Sequence, residues 1–120
     1  MHLLFSHRLT EEQIADAKES FGITQFRYLP KDLQRLFSSV PPELESLKVY
    51  AEPFKTYLKE TTLEGDVVLI QGDFGLCFLL ANFCNKEALL PVYATTKRIV
   101  FEKDGVKISR FKHVTFRKYE

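Results

Sequence analysis

One hundred and twenty residues, 45% of them hydrophobic and 28% charged, suit one soluble domain spanning 1–120 with a single modest core. No apolar stretch approaches the roughly 20 residues of a membrane helix, and the opening Met1-His2-Leu3-Leu4-Phe5-Ser6-His7 has neither a basic leader nor a small-residue cleavage site, so no membrane partner and a cytoplasmic location are expected. The net charge of +1 is unevenly spread, with 9 Lys/Arg against 13 Asp/Glu (−4) in residues 1–96 and 8 against 3 (+5) in residues 97–120, which favours an anionic partner for the C-terminal fifth or else a solvated basic ribbon.

Leu3-Leu4-Phe5 reads as a short strand ending in Ser6-His7-Arg8. Thr10 with Gln13 forms a capping box, and Ile14, Ala17 and Phe21 share a helix face that Gly22 terminates. Phe26 and Tyr28 alternate with Gln25 and Arg27 in a second strand over Thr24–Leu29, closed by Pro30. Asp32–Phe37 reads as a short helix, and Ser38-Ser39-Val40-Pro41-Pro42 breaks the chain. From Glu43 a longer helix is expected, because Leu44, Leu47, Ala51, Phe54 and Leu58 follow helical spacing, with Pro53 kinking or dividing it.

Val67–Ile70 is an unbroken apolar run, the pattern of a strand covered on both faces. Gln71-Gly72-Asp73-Phe74-Gly75 is a tight turn in which Asp73 is placed to cap the next helix. Phe74–Cys84 is apolar nearly all round, so that helix is expected to be buried. Leu89–Ala94 is a fourth strand ending in Thr95-Thr96-Lys97-Arg98. Ile99–Lys103 and Val106–Phe111 form a hairpin about Asp104-Gly105, and Val114–Tyr119 is a last strand or an extended tail. The order βαβααβαβ plus a hairpin predicts an α/β fold: a Rossmann-like open sheet with a parallel core and a C-terminal antiparallel β-hairpin.

In this arrangement three polar turns follow three parallel strands and converge on one sheet edge: Ser6-His7-Arg8, Gln71–Gly75 and Thr95–Arg98. Hydroxyls, glycine amides and three or four positive groups together suit phosphate. Each piece has a plain alternative. Gly72-Asp73-Phe74-Gly75 is neither a phosphate-loop motif nor a dinucleotide fingerprint. A lone strand-end His such as His7 is commonly structural, and Asp73 is first of all a cap. Phe74 beside the glycines is positioned to stack on a base. Phe111, Phe116 and Tyr119 interleave with Arg110, Lys112, Arg117 and Lys118, as a nucleic-acid grip, a self-packing ribbon or a dimer contact would. Cys77 and Cys84 lie seven residues apart on one helix, about 10 Å, too far for a disulfide, so buried free thiols are expected. No paired catalytic carboxylates, nucleophile elbow or metal-ligand spacing occurs, so neither a metal nor a cofactor is expected.

Leu4–Thr10 (LFSHRLT), Tyr28–Gln34 (YLPKDLQ), Val68–Gly75 (VLIQGDFG), Thr95–Arg98 (TTKR) and Ser109–Tyr119 (SRFKHVTFRKY) form an ordered set spanning essentially the whole chain. The set resembles small stand-alone CRISPR-associated proteins of type III systems, which are similar to the CRISPR-associated Rossmann-fold sensors. The resemblance implies a homodimer that binds cyclic oligoadenylate, cyclic tetra-adenylate in particular, across its two-fold axis. It also implies ring-nuclease activity that opens the messenger and switches off the antiviral response, with no stable DNA partner. On local chemistry, Lys97 and Arg98 are expected to stabilise charge and His7 to act as acid or base. Ser6, Arg8, Gln71, Gly72, Asp73, Phe74, Gly75, Thr95 and Thr96 are expected to hold the ligand. A messenger-binding module without cleavage would use the same residues, whereas an unrelated mononucleotide-binding or protein-interaction domain would show no preference for cyclic over linear oligoadenylate.

Overall fold

An apolar run makes a central strand only if helices cover both its faces, and the computed structural model, which describes residues 1–120, meets that condition. The chain runs β1 (His2–Phe5), α1 (Glu11–Phe21), β2 (Arg27–Tyr28), α2 (Lys31–Ser38), α3 (Glu52–Thr61), β3 (Val67–Gln71), α4 (Phe74–Lys86), β4 (Leu90–Lys103) and β5 (Val106–Lys118). One five-stranded sheet has the order β2-β1-β3-β4-β5. Its first four strands are parallel, and β5 returns antiparallel to β4. The fold is thus α/β, with a parallel core and a C-terminal antiparallel hairpin.

Alternation along β1 and β3 sends residues to opposite layers. Leu4, Val68 and Ile70 pack with Phe37 of α2, Phe54 and Leu58 of α3, and Leu76 and Leu80 of α4. Leu3, Phe5 and Leu69 pack on the other side with Ala17 of α1, Val92 and Phe116. The Thr10 capping box forms, and Gly22 ends α1 in the left-handed region at φ 66°. Asp104 and Gly105 both have positive φ, 53° and 77°, the geometry of a two-residue hairpin turn that matches the twist of its strands.

Four expectations are corrected. The second strand is only Arg27–Tyr28, because at the sheet edge it has just two rungs to β1. No helix starts at Glu43: residues 41–51 are turns and bends, and α3 begins at Glu52. A helix running through Pro53 would lose a donor and clash with the preceding turn, whereas in the first turn proline is tolerated. The last strands are not four short pieces. β4 and β5 pair continuously from Val92↔Lys118 to Lys103↔Val106, with one irregularity at Thr95/Thr96 where Val114 bulges. Finally, α4 is not buried all round: Phe74 and Phe78 are exposed, since the layer formed by the sheet and α3 covers only part of its circumference.

Candidate functional site

β1 leads by its crossover to β2 on one side, while the parallel β3 lies on its other side, so the order in which strands are added reverses between β1 and β3. In open α/β sheets the carboxyl end of such a switch point is a crevice where ligands bind. The Phe5↔Gln71 register brings Ser6-His7-Arg8 and Gln71–Gly75 to this same edge. A cleft of about 580 Å³ opens there, lined by Ser6, His7, Arg8, Tyr28, Lys31, Gln34 and Arg35 among others. Arg8 lies over the Tyr28 ring, 5.0 Å from its centroid. Lys31 and Arg35, one turn apart on α2, add two cations that reading strand ends alone missed; a helix entered from a carboxyl edge presents its first turns to that edge. Gln34 Nε2 donates to Phe5 O at 3.0 Å, which fixes α2 to the end of β1, while its buried Oε1 has no hydrogen-bond partner.

Several residues expected to hold a ligand have structural work. Ser6 Oγ lies 3.0 Å from Ser38 Oγ. Asp73 is the α4 cap, accepting from Leu76 N at 3.0 Å. Gln71 Oε1 accepts from Ala94 N at 3.0 Å and so extends the β3–β4 ladder by a side chain. A Cβ on Gly72 would stand 2.8 Å from Phe37 Cε1, so this glycine makes room for a buried ring as well as for any ligand. Thr95 Oγ1 donates to Thr115 O and accepts from Thr115 N beside the bulge. His7 packs edge-on to Phe5, with ring centroids 5.4 Å apart.

Thr95-Thr96-Lys97-Arg98 is not a turn but the stretch of β4 that passes beyond the carboxyl edge, where β5 supplies its hydrogen bonds and keeps it extended. It still begins at the level of Gln71, as the Ala94 bond requires. Neighbouring strand residues face opposite ways, so Lys97 and Arg98 do not converge on one phosphate. Thr96 pairs with His113, on the face turned to α1. Arg98 shares that face and reaches Ser109 Oγ at 3.4 Å. Lys97 shares the other face with Tyr93 and Thr95, the side of the Gln71–Gly75 turn. On that side a second groove runs between α4 and the Tyr93–Tyr119 pair.

Two His–carboxylate pairs brace the sheet. His113 Nε2 donates to Asp16 Oδ2 at 2.7 Å and ties β5 to α1, and Ser20 Oγ bonds the other carboxylate oxygen at 2.6 Å. Burial alone would raise the Asp16 pKa, but the hydrogen bonds of Ser20 and His113 and the attraction of His113 hold it below the ordinary carboxylate value. Asp66, which meets His2 at 3.0 Å, is lowered in the same way against burial, chiefly by the Leu63 amide and His2. Cys77 and Cys84 are buried free thiols, and burial pushes Cys84 up to about 12, so it stays protonated at neutral pH. No three His, Cys, Asp or Glu side chains come together as a metal-ligand group.

A small α/β protein of doubly wound strand order, with a basic cleft at its switch point and a basic ribbon projecting beyond it, is the class these features define. The chain belongs to the Uncharacterized protein MJ1673 family, whose model matches residues 1–117. It is 46% identical over 123 residues to Uncharacterized protein MJ1673 of Methanocaldococcus jannaschii, a match covering 99% of this chain and 95% of that protein. No solved structure matches it. No helix is long and apolar enough to cross a membrane.

Proposed function

We propose that the protein binds cyclic oligoadenylate, cyclic tetra-adenylate in particular, at the carboxyl edge of a cytoplasmic homodimer and opens the ring, ending type III CRISPR signalling. The observation that carries the reading is the β1/β3 switch point, where Arg8, Lys31 and Arg35 line a cleft beside the Gly72–Gly75 turn. The resemblance of the ordered motifs to type III CRISPR-associated proteins supports the choice of ligand. A two-fold ring would meet each of these groups twice, once from each protomer.

The chemistry is an internal transfer. A ribose 2′-oxygen attacks the adjacent phosphorus, the P–O2′ bond forms and the P–O5′ bond breaks. The 2′-proton ends on the leaving 5′-oxygen, giving a 2′,3′-cyclic phosphate and a 5′-hydroxyl. His7 is placed in the cleft to carry that proton. Lys97, on the side of the glycine turn, stabilises the charge that grows on the phosphoryl oxygens. Arg98 faces α1 and serves only a phosphate on that side.

Incubation with labelled cyclic tetra-adenylate under multiple turnover tests the reading, and linear product ending in 2′,3′-cyclic phosphate is expected. A second reading, a messenger-binding module that does not cleave, is favoured by one observation: Lys97 and Arg98 point to opposite faces instead of gripping one phosphate. Tight binding with no product would establish that reading. Equal binding of cyclic and linear oligoadenylate would rule out both.

A further inference from the structure

α4 is apolar nearly all round, yet Phe74 is 94% exposed and Phe78, one turn on, is 65% exposed. The two rings form one wall of a groove of about 400 Å³, and Tyr93 and Tyr119, with ring centroids 5.0 Å apart, form the other. Asn82 and Asn85 continue the helix stripe along the groove with exposed amides. Tyr119 is fixed from behind, its hydroxyl donating to Ile70 O at 2.7 Å, so this wall is rigid.

The groove opens onto the basic ribbon. At its rim Arg117 Nη1 donates to the Tyr93 hydroxyl at 3.2 Å, with the guanidinium 5.6 Å from the ring centroid. Beyond it, on the same face, Lys97 stands directly opposite Lys112 and Ile99 opposite Arg110. Like charges directly opposed weaken a ribbon, and none of these cations makes a direct ion pair, although Glu11 and Glu12 of α1 line a pocket with Arg110 and Lys112. The aromatic groove has one acidic side chain in its lining, Glu120, and runs into Arg117, Lys97, Lys112 and Arg110, which outnumber it; this matches a nucleotide, whose base stacks while its phosphates are held by charge. A second copy seated isologously on this face would bring like cations together, so charge favours the anionic occupant over the copy.

We propose that this groove is a purine-base subsite, with a base stacked on Phe74 and Phe78 opposite Tyr93 and its phosphates on Arg117, Lys97 and Lys112. The inference rests on the oligoadenylate reading above and adds where a base sits and what reads it. An Asn amide donates and accepts at once, which matches adenine N6 and N7.

Fluorescence anisotropy with labelled linear hexa-adenylate and hexa-uridylate, with cyclic tetra-adenylate as competitor, tests it. Phe78→Ala removes an exposed ring and leaves the core intact, and it should weaken hexa-adenylate binding about tenfold or more. Asn82→Ala combined with Asn85→Ala should narrow the preference for adenylate over uridylate. If both variants bind all probes like wild type, the subsite is overturned. Wild-type binding of linear but not cyclic oligoadenylate, weakened by Phe78→Ala, supports the subsite and overturns the ring reading. Cyclic binding that is lost in Arg8→Ala but unchanged in Phe78→Ala does the reverse. Failure of the wild type to bind either linear probe, or conversion of a dimer to a monomer by Phe78→Ala, also overturns the subsite.

Discussion

Gly72 shows how one residue serves packing and site together. Its missing side chain lets the buried Phe37 ring approach the end of β3, and an added Cβ would sit 2.8 Å from that ring. Phe37 is 2% exposed and cannot swing away. Gly72→Ala should therefore lower the Tm by roughly 3–10 °C through overpacking, and Phe37→Leu should relieve much of the loss. Calorimetry on the two single variants and the double variant checks this; additive losses would remove the Phe37 clash as the cause. At Gly75 the added Cβ would meet Leu47 Cδ1 at 3.3 Å and Asp73 Oδ1 at 3.5 Å, both looser than the contact at Gly72, so Gly75→Ala is the gentler probe of ligand approach. Lys97 and Arg98 face opposite sides of the ribbon, so their roles separate. Lys97→Ala should lower the single-turnover cleavage rate roughly 10²-fold, in line with losing one charge-stabilising donor, and Arg98→Ala should lower it less. Wild-type rates in both variants would end the catalytic assignment.

At the scale of elements, the β4–β5 ribbon is the part most in need of support, because a lone two-stranded ribbon is marginal in water. Its base is held to α1 by the His113–Asp16 bond and by Phe116 packing near Phe21, with ring centroids 6.5 Å apart. Because the Asp16 pKa is lowered in the folded protein, the carboxylate's contribution is complete above the unfolded value of about 3.9 and fades as pH falls through the lower folded value. Asp16→Asn removes that contribution, so its stability should fall less than wild type's between about pH 5 and pH 2, while being lower than wild type's at pH 7. Urea titrations across that range measure both slopes, and parallel pH profiles would assign the acid sensitivity to other carboxylates such as Asp66.

For the whole molecule, the cleft, the turn and the ribbon all lie at one end of the sheet, and a ring ligand with two-fold symmetry calls for two such ends side by side. Light scattering should give twice the 14.0 kDa chain mass; a monomer that cleaves cyclic tetra-adenylate would remove the two-fold argument. The attack of a ribose hydroxyl on its neighbouring phosphorus needs alignment and charge stabilisation, both of which His7, Lys97 and the glycine turn can supply. Cleavage should accordingly continue in excess EDTA, and loss of activity restored by magnesium or manganese would overturn the proposed chemistry.

Local and periodic signals determined much of this protein from sequence alone. The capping box at Thr10, the αL glycine at 22, the Asp73 cap and the Asp104-Gly105 turn each involve residues within a few positions of one another, so their chemistry is legible without a partner. The apolar run Val67–Ile70 likewise announced a strand between two layers, and from it the α/β class. What sequence left open depended on neighbours distant in the chain. β5 converts Thr95–Arg98 from a polar break into continuous strand, and that conversion decides that Lys97 and Arg98 part company. Lys31 and Arg35 join the cleft because α2 docks across the end of β1, a contact made by Gln34 and Phe5, 29 residues apart. The apolar circumference of α4 reads as a buried helix until the sheet is seen to cover one side, which leaves Phe74 and Phe78 to line a groove. Register and layer packing are long-range properties, and only the tertiary structure places side chains on one face or the other.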